Sequence, residues 1–536
     1  MGIDMSVAGL PEMSFVTWMM AALPIIVVLT LMMGFKMSGS RAGVISWVIG
    51  LAVTYFAFGG GVDVLLSGTA KGIWETIFVL SIVWTSMYMY NVVDLTGSFK
   101  VIAATFTRLT NGNQMLQLLI LGWAFPTFIQ GVCGFGVPVA VVTPLLIGLG
   151  FSPIKAVVTA LLGHSWGITF GSLGSSYSVL PRLSPVDPDG MAFWASLMIA
   201  FGGLMIGWCV VHNYGGFKAV KEGFVAVLFM SVVMSGTLVL VVNFVSPNLG
   251  CFVAGAAGLV VGSFVLPKLK AYRPATDAPP IKEDPEVAGK SFITAFSAYI
   301  IMVGVVFVVY LIKPIKSFLD TFKVGLPFGE TTTLFGYIQD AEAKYSALKI
   351  VTMPGTLILI SIFLAAWFYK SKGLLPQGAM KDAWTKTVRQ SAGSSATIIS
   401  MTMMAVLMTV GGMTTYLAYG IATATGSFFP LLAPQIGVIG AFVTSSCTSS
   451  NILFTSLQYE VASILGMSAF IILGAQTTGA TLANAFAPGN AALGAGVSGL
   501  AGQEGAILAK TSVYTILQAG FVGVLAYVMI KMGLGM

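Results

Sequence analysis

Four short clusters in this chain carry residue types that bind or move small ions: GVCGFGVP at 131–138, GHSWG at 163–167, SSCTSSN at 445–451 and AQTTG at 475–479. In the first, backbone N–H groups around Gly131, Gly134 and Gly136 can approach a ligand closely because no Cβ intervenes. Cys133, Phe135 and Val137 would give it an apolar wall. The third is dense in neutral donors and acceptors: Ser445, Ser446, Thr448, Ser449, Ser450 and Asn451 surround Cys447. Gln476, Thr477 and Thr478 add more in the fourth, and Ser165 stands beside His164 in the second. His164 is one of only two histidines, and an imidazole titrates near neutral pH. Such groups hold and release a small solute. No nucleophile–base pair or phosphate loop accompanies them, and the four cysteines (Cys133, Cys209, Cys251, Cys447) form no metal-ligand spacing. Neither enzyme activity nor a metal nor a cofactor is expected.

The elements that position these clusters follow from composition. Only 8% of the 536 residues are charged and 57% are apolar, against about 25% charged in an ordinary soluble domain. That excludes a soluble enzyme, a nucleic-acid partner and a disordered chain, and predicts an all-α polytopic protein in a lipid bilayer. A span needs about 20 apolar residues. Twelve such runs are expected at roughly 15–34, 42–60, 72–93, 153–176, 191–213, 223–245, 249–267, 291–312, 350–369, 394–424, 467–488 and 506–530. Two further apolar stretches, 114–150 and 434–465, are interrupted at their centres by the first and third clusters. Each is expected to be a re-entrant hairpin, because irregular backbone at membrane depth survives only beside protein or a wet cavity. With the N-terminus outside, 18 of the 26 Lys and Arg fall on the cytoplasmic side, as the positive-inside rule requires. Residues 268–290 read as a charged, Pro-rich linker and 313–349 as an outer loop.

The two interrupted stretches also resemble each other. Cys133 and Cys447 are 314 apart, Gly150 and Gly466 are 316 apart, and Asp189 and Glu504 are 315 apart. Each copy runs span, hairpin, broken span (at 163–167 and 475–479), acid followed by Gly, last span. Asp189 and Glu504 are expected to cap the helices they precede. An odd number of crossings separates the copies, so the repeats are expected to be inverted: 1–213 with one hairpin, 291–536 with the other, and 214–290 linking them. Inverted repeats with broken helices are how secondary transporters build a midplane site, and helix termini at the breaks would face an anion.

FPTFIQGVCGFGVPVAVVTPLLIGLGFSP (125–153), LLGHSWGITFGSLG (161–174) and SSCTSSNILFTSLQ (445–458) resemble the lactate permease family over essentially the whole chain. The resemblance implies a multi-pass carrier of the bacterial inner membrane that takes up L-lactate, D-lactate and glycolate with protons. It further implies an ion-transporter-like elevator, in which a hairpin-bearing unit slides against a scaffold that can pair into a homodimer. For such a substrate the site residues would be Gly131, Cys133, Gly134, Phe135, Gly136, Val137, His164, Ser165, Ser446–Asn451, Gln476 and Thr477. No Lys or Arg is expected near the middle of a span, so neutral donors would hold the carboxylate. Proton coupling falls to His164, with Glu75 and Glu460 as the competing carboxylates. Helix packing by the glycines, helix-to-helix bonding by the hydroxyls, Na⁺ coupling with another organic anion, and a passive anion channel all stay open.

Overall fold

The computed structural model describes residues 9–110, 113–134, 136–273 and 290–535. Phe135 and most of the expected linker, 274–289, lie outside the described residues. The chain is mostly helical, and among the described residues twelve helices are long and apolar enough to cross a membrane. It is a multi-pass membrane protein.

The first half begins with α1 (Phe15–Met33), α2 (Gly39–Phe56) and α3 (Val62–Leu95), followed by the short α4 (Ser98–Leu109). The segments α5 (Gln114–Leu119) and α6 (Phe125–Val132) are joined by a π turn, and after a break at 133–136 comes α7 (Val137–Gly148). Next are α8 (Pro153–Ser165), a run of 3₁₀ turns to Arg182, and α9 (Pro188–Glu222). Helices α10 (Phe224–Phe244) and α11 (Gly250–Val260) close this half.

The second half opens with α12 (Phe292–Leu311) and α13 (Lys313–Leu319). Strands β1 (Lys323–Phe328), β2 (Thr331–Thr332), β3 (Ile338–Gln339) and β4 (Glu342–Lys349) follow, with β1 antiparallel to β4 and β2 to β3. The expectation of a wholly α fold is corrected here. Val324 faces Leu348, Leu326 faces Tyr345 and Thr332 faces Ile338 across the strands, residue types that suit a pleated, half-exposed surface. Then come α14 (Pro354–Ser371), α15 (Ala379–Val410), α16 (Met413–Thr425), α17 (Phe429–Thr444), α18 (Cys447–Ile464), α19 (Ala469–Ala483), α20 (Pro488–Ser498) and α21 (Glu504–Lys531).

Elements of the two halves recur at a steady distance well upstream of the clusters. The 18-residue helices α2 and α14 start 315 residues apart, and the left-handed glycines that begin α4 and α16, Gly97 and Gly412, are also 315 apart. Helices α3 and α15, at 34 and 32 residues, are the corresponding long pair. They meet closely because α3 carries glycine at the seam: a Cβ on Gly72 would lie 2.6 Å from the Met403 Cα.

Several expected boundaries move. The span at 72–93 starts ten residues earlier, at Val62. The added turns carry Lys71, a charge that a hydropathy window rejects but that Glu342 neutralises. The span at 394–424 is two helices, because α15 ends at Val410 and Gly412 turns the chain with φ +80°. The runs at 153–176 and 467–488 are helical only to Ser165 and Ala483. Their places among the twelve are taken by Gln114–Val132 and Met413–Thr444. Gln114–Val132, the first arm of the first interrupted stretch, is 19 residues and long enough to cross alone, whereas Val137–Gly148 is not. The cap of α9 is Asp187, which accepts from the Gly190 N–H, and Asp189 lies in the first turn. Glu504 bonds the Gly502 N–H at the start of α21.

Candidate functional site

Both interrupted stretches break where the sequence breaks. At the first, α6 ends at Val132, Gly136 adopts φ +80°, and α7 starts under it with Pro138 in its first turn. At the second, Ser445 takes the same left-handed turn at φ +52° without being glycine, a conformation that costs roughly 1 kcal/mol or more and persists where the surroundings enforce it. Ser446 then caps α18, its hydroxyl accepting from the Ser449 N–H at 3.2 Å. The N-termini of α7 and α18 therefore both begin at a tip.

The tips meet at one cavity of about 550 Å³. From the first tip Gly134 and Gly136 line it, and His164 from α8; from the second come Ser446, Cys447, Thr448 and Ser449. Two hydroxyls in the 3₁₀ run tie the tips to the wall between them. The Gly134 N–H donates to Ser172 Oγ at 2.8 Å, and the Ser176 and Thr448 hydroxyls are 2.7 Å apart.

Behind the second tip lies a buried polar network. Asn451 Nδ2 donates to the Ser176 carbonyl (3.0 Å) and to Thr477 Oγ1 (2.9 Å), and Gln476 Nε2 donates to Asn451 Oδ1 (3.0 Å). Thr169 joins Thr477 at 2.8 Å and Thr481 at 2.6 Å, hydroxyl to hydroxyl. Asn451, Gln476, Thr477 and Thr481 have no solvent exposure. In a dry setting such a network is rigid while complete, and costly once one member is lost.

Other expected site residues point elsewhere. Gly131 backs onto α11, where an added Cβ would run into the Phe252 backbone, so it serves helix packing. Cys133 is fully buried with its Sγ 3.7 Å from the Met87 sulfur. Val137 is half-buried at the start of α7. Ser165 donates back to Leu162 O in its own helix, and Ser450 bonds the Gly437 carbonyl at 2.8 Å.

The expected break at 475–479 is corrected: that cluster is regular helix inside α19, and the helix ends four residues later. Gly479 is there for close approach, lying against the Pro434 carbonyl of α17, and Thr478 bonds back to Gly474 O. Gly163 on α8 lies in the same way against the Gly122 carbonyl. The break after α8 falls inside the expected 163–167: the helix ends at Ser165, and 3₁₀ turns follow from Ile168.

Of the three coupling candidates, only His164 lines the cavity. Its Nδ1 lies 3.0 Å from the Ala160 carbonyl, which can only accept. Nδ1 therefore carries the hydrogen, and a neutral ring keeps Nε2 as its acceptor. Glu75 is 2.6 Å from Arg182 Nε, and that guanidinium also lies over the Phe78 ring. Glu460 is half-buried near the far end of α18 and does not line the cavity.

Sequence reasoning missed several participants, among them Ser172, Thr481 and the three that follow. Thr169 and Ser176 belong to GITFGSLGSS (167–176), whose density of small and hydroxyl residues was the available signal. Arg389 was set outside a span expected to begin at 394, yet α15 starts at Ala379 and carries it on the cavity wall.

A family model described as L-lactate permease matches residues 17–533. The chain is 25% identical to the glycolate permease GlcA of Escherichia coli K12, over 95% of this chain and 94% of that one. It is 26% identical to an L-lactate permease of Halalkalibacterium halodurans, over 95% and 96%. Among solved structures, the Alcanivorax borkumensis YdaH transporter shares the fold, with a TM-score of 0.53 at 13% identity, covering 93% of this chain and 99% of that one.

Proposed function

The chain belongs to the L-lactate permease family, and from that premise we propose that it is a secondary carrier that takes up L-lactate, with D-lactate and glycolate, across the bacterial inner membrane in symport with protons. The observation that carries this reading is the cavity where two helix N-termini and neutral donors converge beside His164. A carboxylate there would be held by the first-turn N–H groups of α18 and favoured by the dipoles of both α7 and α18, because in α7 the Val137 N–H already bonds the Gly134 carbonyl and Pro138 has none. The Ser446, Thr448 and Ser449 hydroxyls would take the 2-hydroxyl, and the Ile168 and Cys447 side chains the small alkyl end. Binding by neutral donors leaves the substrate's own charge uncompensated. A proton on His164 Nε2 would compensate it, so that anion and proton are favoured together.

The architecture we propose around this site is a pair of inverted repeats, 1–213 and 291–536, joined by 214–290, with re-entrant hairpins at 114–150 and 434–465. The constant spacing of α2 with α14 and of Gly97 with Gly412 supports it. In an elevator cycle the hairpins with α8 and α19 would move as a unit against α3 and α15.

The test is uptake of labelled L-lactate by the purified chain in liposomes, with pH and Na⁺ gradients imposed separately. Accumulation driven by an inward proton gradient supports symport. Accumulation on Na⁺ alone assigns coupling to the hydroxyls around Thr169, Thr477 and Thr481 instead. Equilibration without accumulation under any gradient indicates a channel.

A further inference from the structure

The wall of the cavity opposite the tips is α15. Arg389, Gln390, Gly393, Ser394, Thr397 and Ile398 line it, spaced as one face of a helix over three turns. Arg389 is the one residue with a fixed formal charge among the described cavity-lining residues. It is exposed, and no described carboxylate lies within ion-pair distance of it. One turn earlier Lys386 is neutralised by Asp94 at 2.9 Å, so the net positive charge on this wall belongs to Arg389.

The orientation of its neighbour is fixed by a chain of hydrogen bonds. The Thr387 hydroxyl donates to the Ala383 carbonyl at 2.7 Å, so its oxygen can only accept, and it does so from Asn91 Nδ2 at 2.9 Å. The same Nδ2 donates to Gln390 Oε1 at 2.8 Å. The carbonyl end of the Gln390 amide is thus turned toward α3. Its NH₂ end, bonded to no described residue, is left for the cavity. Asn91 has no solvent exposure, which holds this arrangement in place.

We propose that Arg389 and Gln390 form an anion-capture site, where the carboxylate of an incoming monocarboxylate docks before passing to the tips. The proposal rests on the carrier function given above and adds a second station to it. A guanidinium in a water-filled vestibule attracts anions over about a Debye length and binds them weakly, since the charge is screened. A way-station needs that combination. It concentrates substrate at the mouth and does not retain it against the neutral site beyond. The corresponding positions on α3, 315 residues earlier, are Trp74 and Glu75. There the acid neutralises Arg182, so no free cation faces an anion.

The experiment is initial-rate kinetics of labelled L-lactate in liposomes, measured separately from each face. For the unaltered chain, KM on the face toward which the cavity opens rises with ionic strength. In R389Q that KM rises about fivefold and its salt dependence flattens, with Vmax affected much less. R389K retains the salt dependence with a KM between the two, because a point charge replaces the planar fork. Q390L raises KM about twofold at unaltered salt dependence. The proposal is overturned if R389Q keeps the KM and salt dependence of the parent from both faces, or if only Vmax falls. If R389Q fails to insert, the salt series on the parent and R389K decides, and a flat response in both overturns it. Should the parent chain move no lactate or glycolate, the carrier function itself has failed. The capture site is then read separately, from thermal stabilisation of the detergent-solubilised chain by lactate. Loss of that stabilisation in R389Q supports the site, and equal stabilisation removes it.

Discussion

At the first tip the chain turns through Cys133 to Gly136 and is tied to its surroundings by the Gly134 N–H on Ser172. At the second it turns through Ser445 and Ser446 and runs into a buried network of Asn451, Gln476, Thr477, Thr169 and Thr481. Both turns are left-handed, at Gly136 and at Ser445, and both open a helix toward the same cavity. The backbone device is thus common to the two regions while the chemistry is divided. One tip offers main-chain N–H groups in apolar company, and the other offers side chains that hold one another. A carrier whose site must be remade in each cycle gains from that division. If the networked side fixes geometry, the first tip, held by fewer bonds among the described residues, is the side expected to move.

The comparison breaks most visibly at Asn451. Asn451→Ala removes two donated bonds and one accepted bond: the Ser176 carbonyl loses this donor, while Thr477 keeps only Thr169 and Cys447, and the Gln476 amide keeps only the longer bond to the Ser450 carbonyl at 3.4 Å. At about 1–3 kcal/mol for each buried group left unsatisfied, lactate counterflow should fall at least about 100-fold. Counterflow in liposomes is the measurement. Activity within a fewfold of the parent would mean that the network does not set the site.

His164→Gln tests what lies between the tips. The amide keeps a donor and an acceptor near the cavity but cannot titrate. Proton-driven accumulation should be lost while lactate exchange at equal pH persists to within about tenfold. Retained accumulation would move coupling to another group. Among the candidates that leaves Glu75, held by Arg182, and Glu460 at the end of α18.

These side chains show what was legible in the sequence. The tips announced themselves because glycine and hydroxyl clusters cannot sit in an apolar run without a reason. The apolar runs likewise marked where the helices lie. Boundaries failed where charge entered a helix. Lys71 sits inside α3 because Glu342, 271 residues away, neutralises it. Arg389 sits on α15 because the cavity beside it is open. A local window sees the charge and not the partner. The cluster at 475–479 was misplaced for a related reason. Gly479 has the composition of a break, but its missing Cβ makes room for the Pro434 carbonyl, a contact between helices that spacing alone does not reveal.

Gly134→Ala probes the mobile side. Its Cβ would lie 2.7 Å from Ser172 Oγ and 2.8 Å from Gln130 Nε2, both ends of side chains that can swing aside. Relief would move Ser172 off the Gly134 N–H, so one hydrogen bond is at stake. A loss of about tenfold in lactate counterflow is expected, well short of the Asn451 effect. An equal loss at both positions would erase the distinction between a fixed tip and a movable one.

The smallest effects fall on the two cysteines, and they separate the tips without disturbing either turn. Cys447 lines the cavity with its sulfur 3.5 Å from Thr481 Oγ1 and 3.7 Å from Thr169 Oγ1, so a serine hydroxyl there has two rotatable hydroxyls and the cavity beside it, and a small adjustment gives it a partner. Cys133 has the Met87 sulfur at 3.7 Å and the Gly134 carbonyl at 3.9 Å, too far for a hydroxyl oxygen to bond. Cys447→Ser should leave thermal stability and lactate affinity within about twofold of the parent, since the new polar group is satisfied. Cys133→Ser should destabilise by about 1–2 kcal/mol, because a buried hydroxyl without a bond carries its desolvation uncompensated. Thermal unfolding in detergent reads both. The same ordering should hold for a small thiol reagent, which reaches Cys447 through the cavity and finds Cys133 shielded against α3. Were Cys133 modified as fast as Cys447, the first tip would be opening to water far more than its burial implies, and its sparse bonding would then mean that it moves even without substrate.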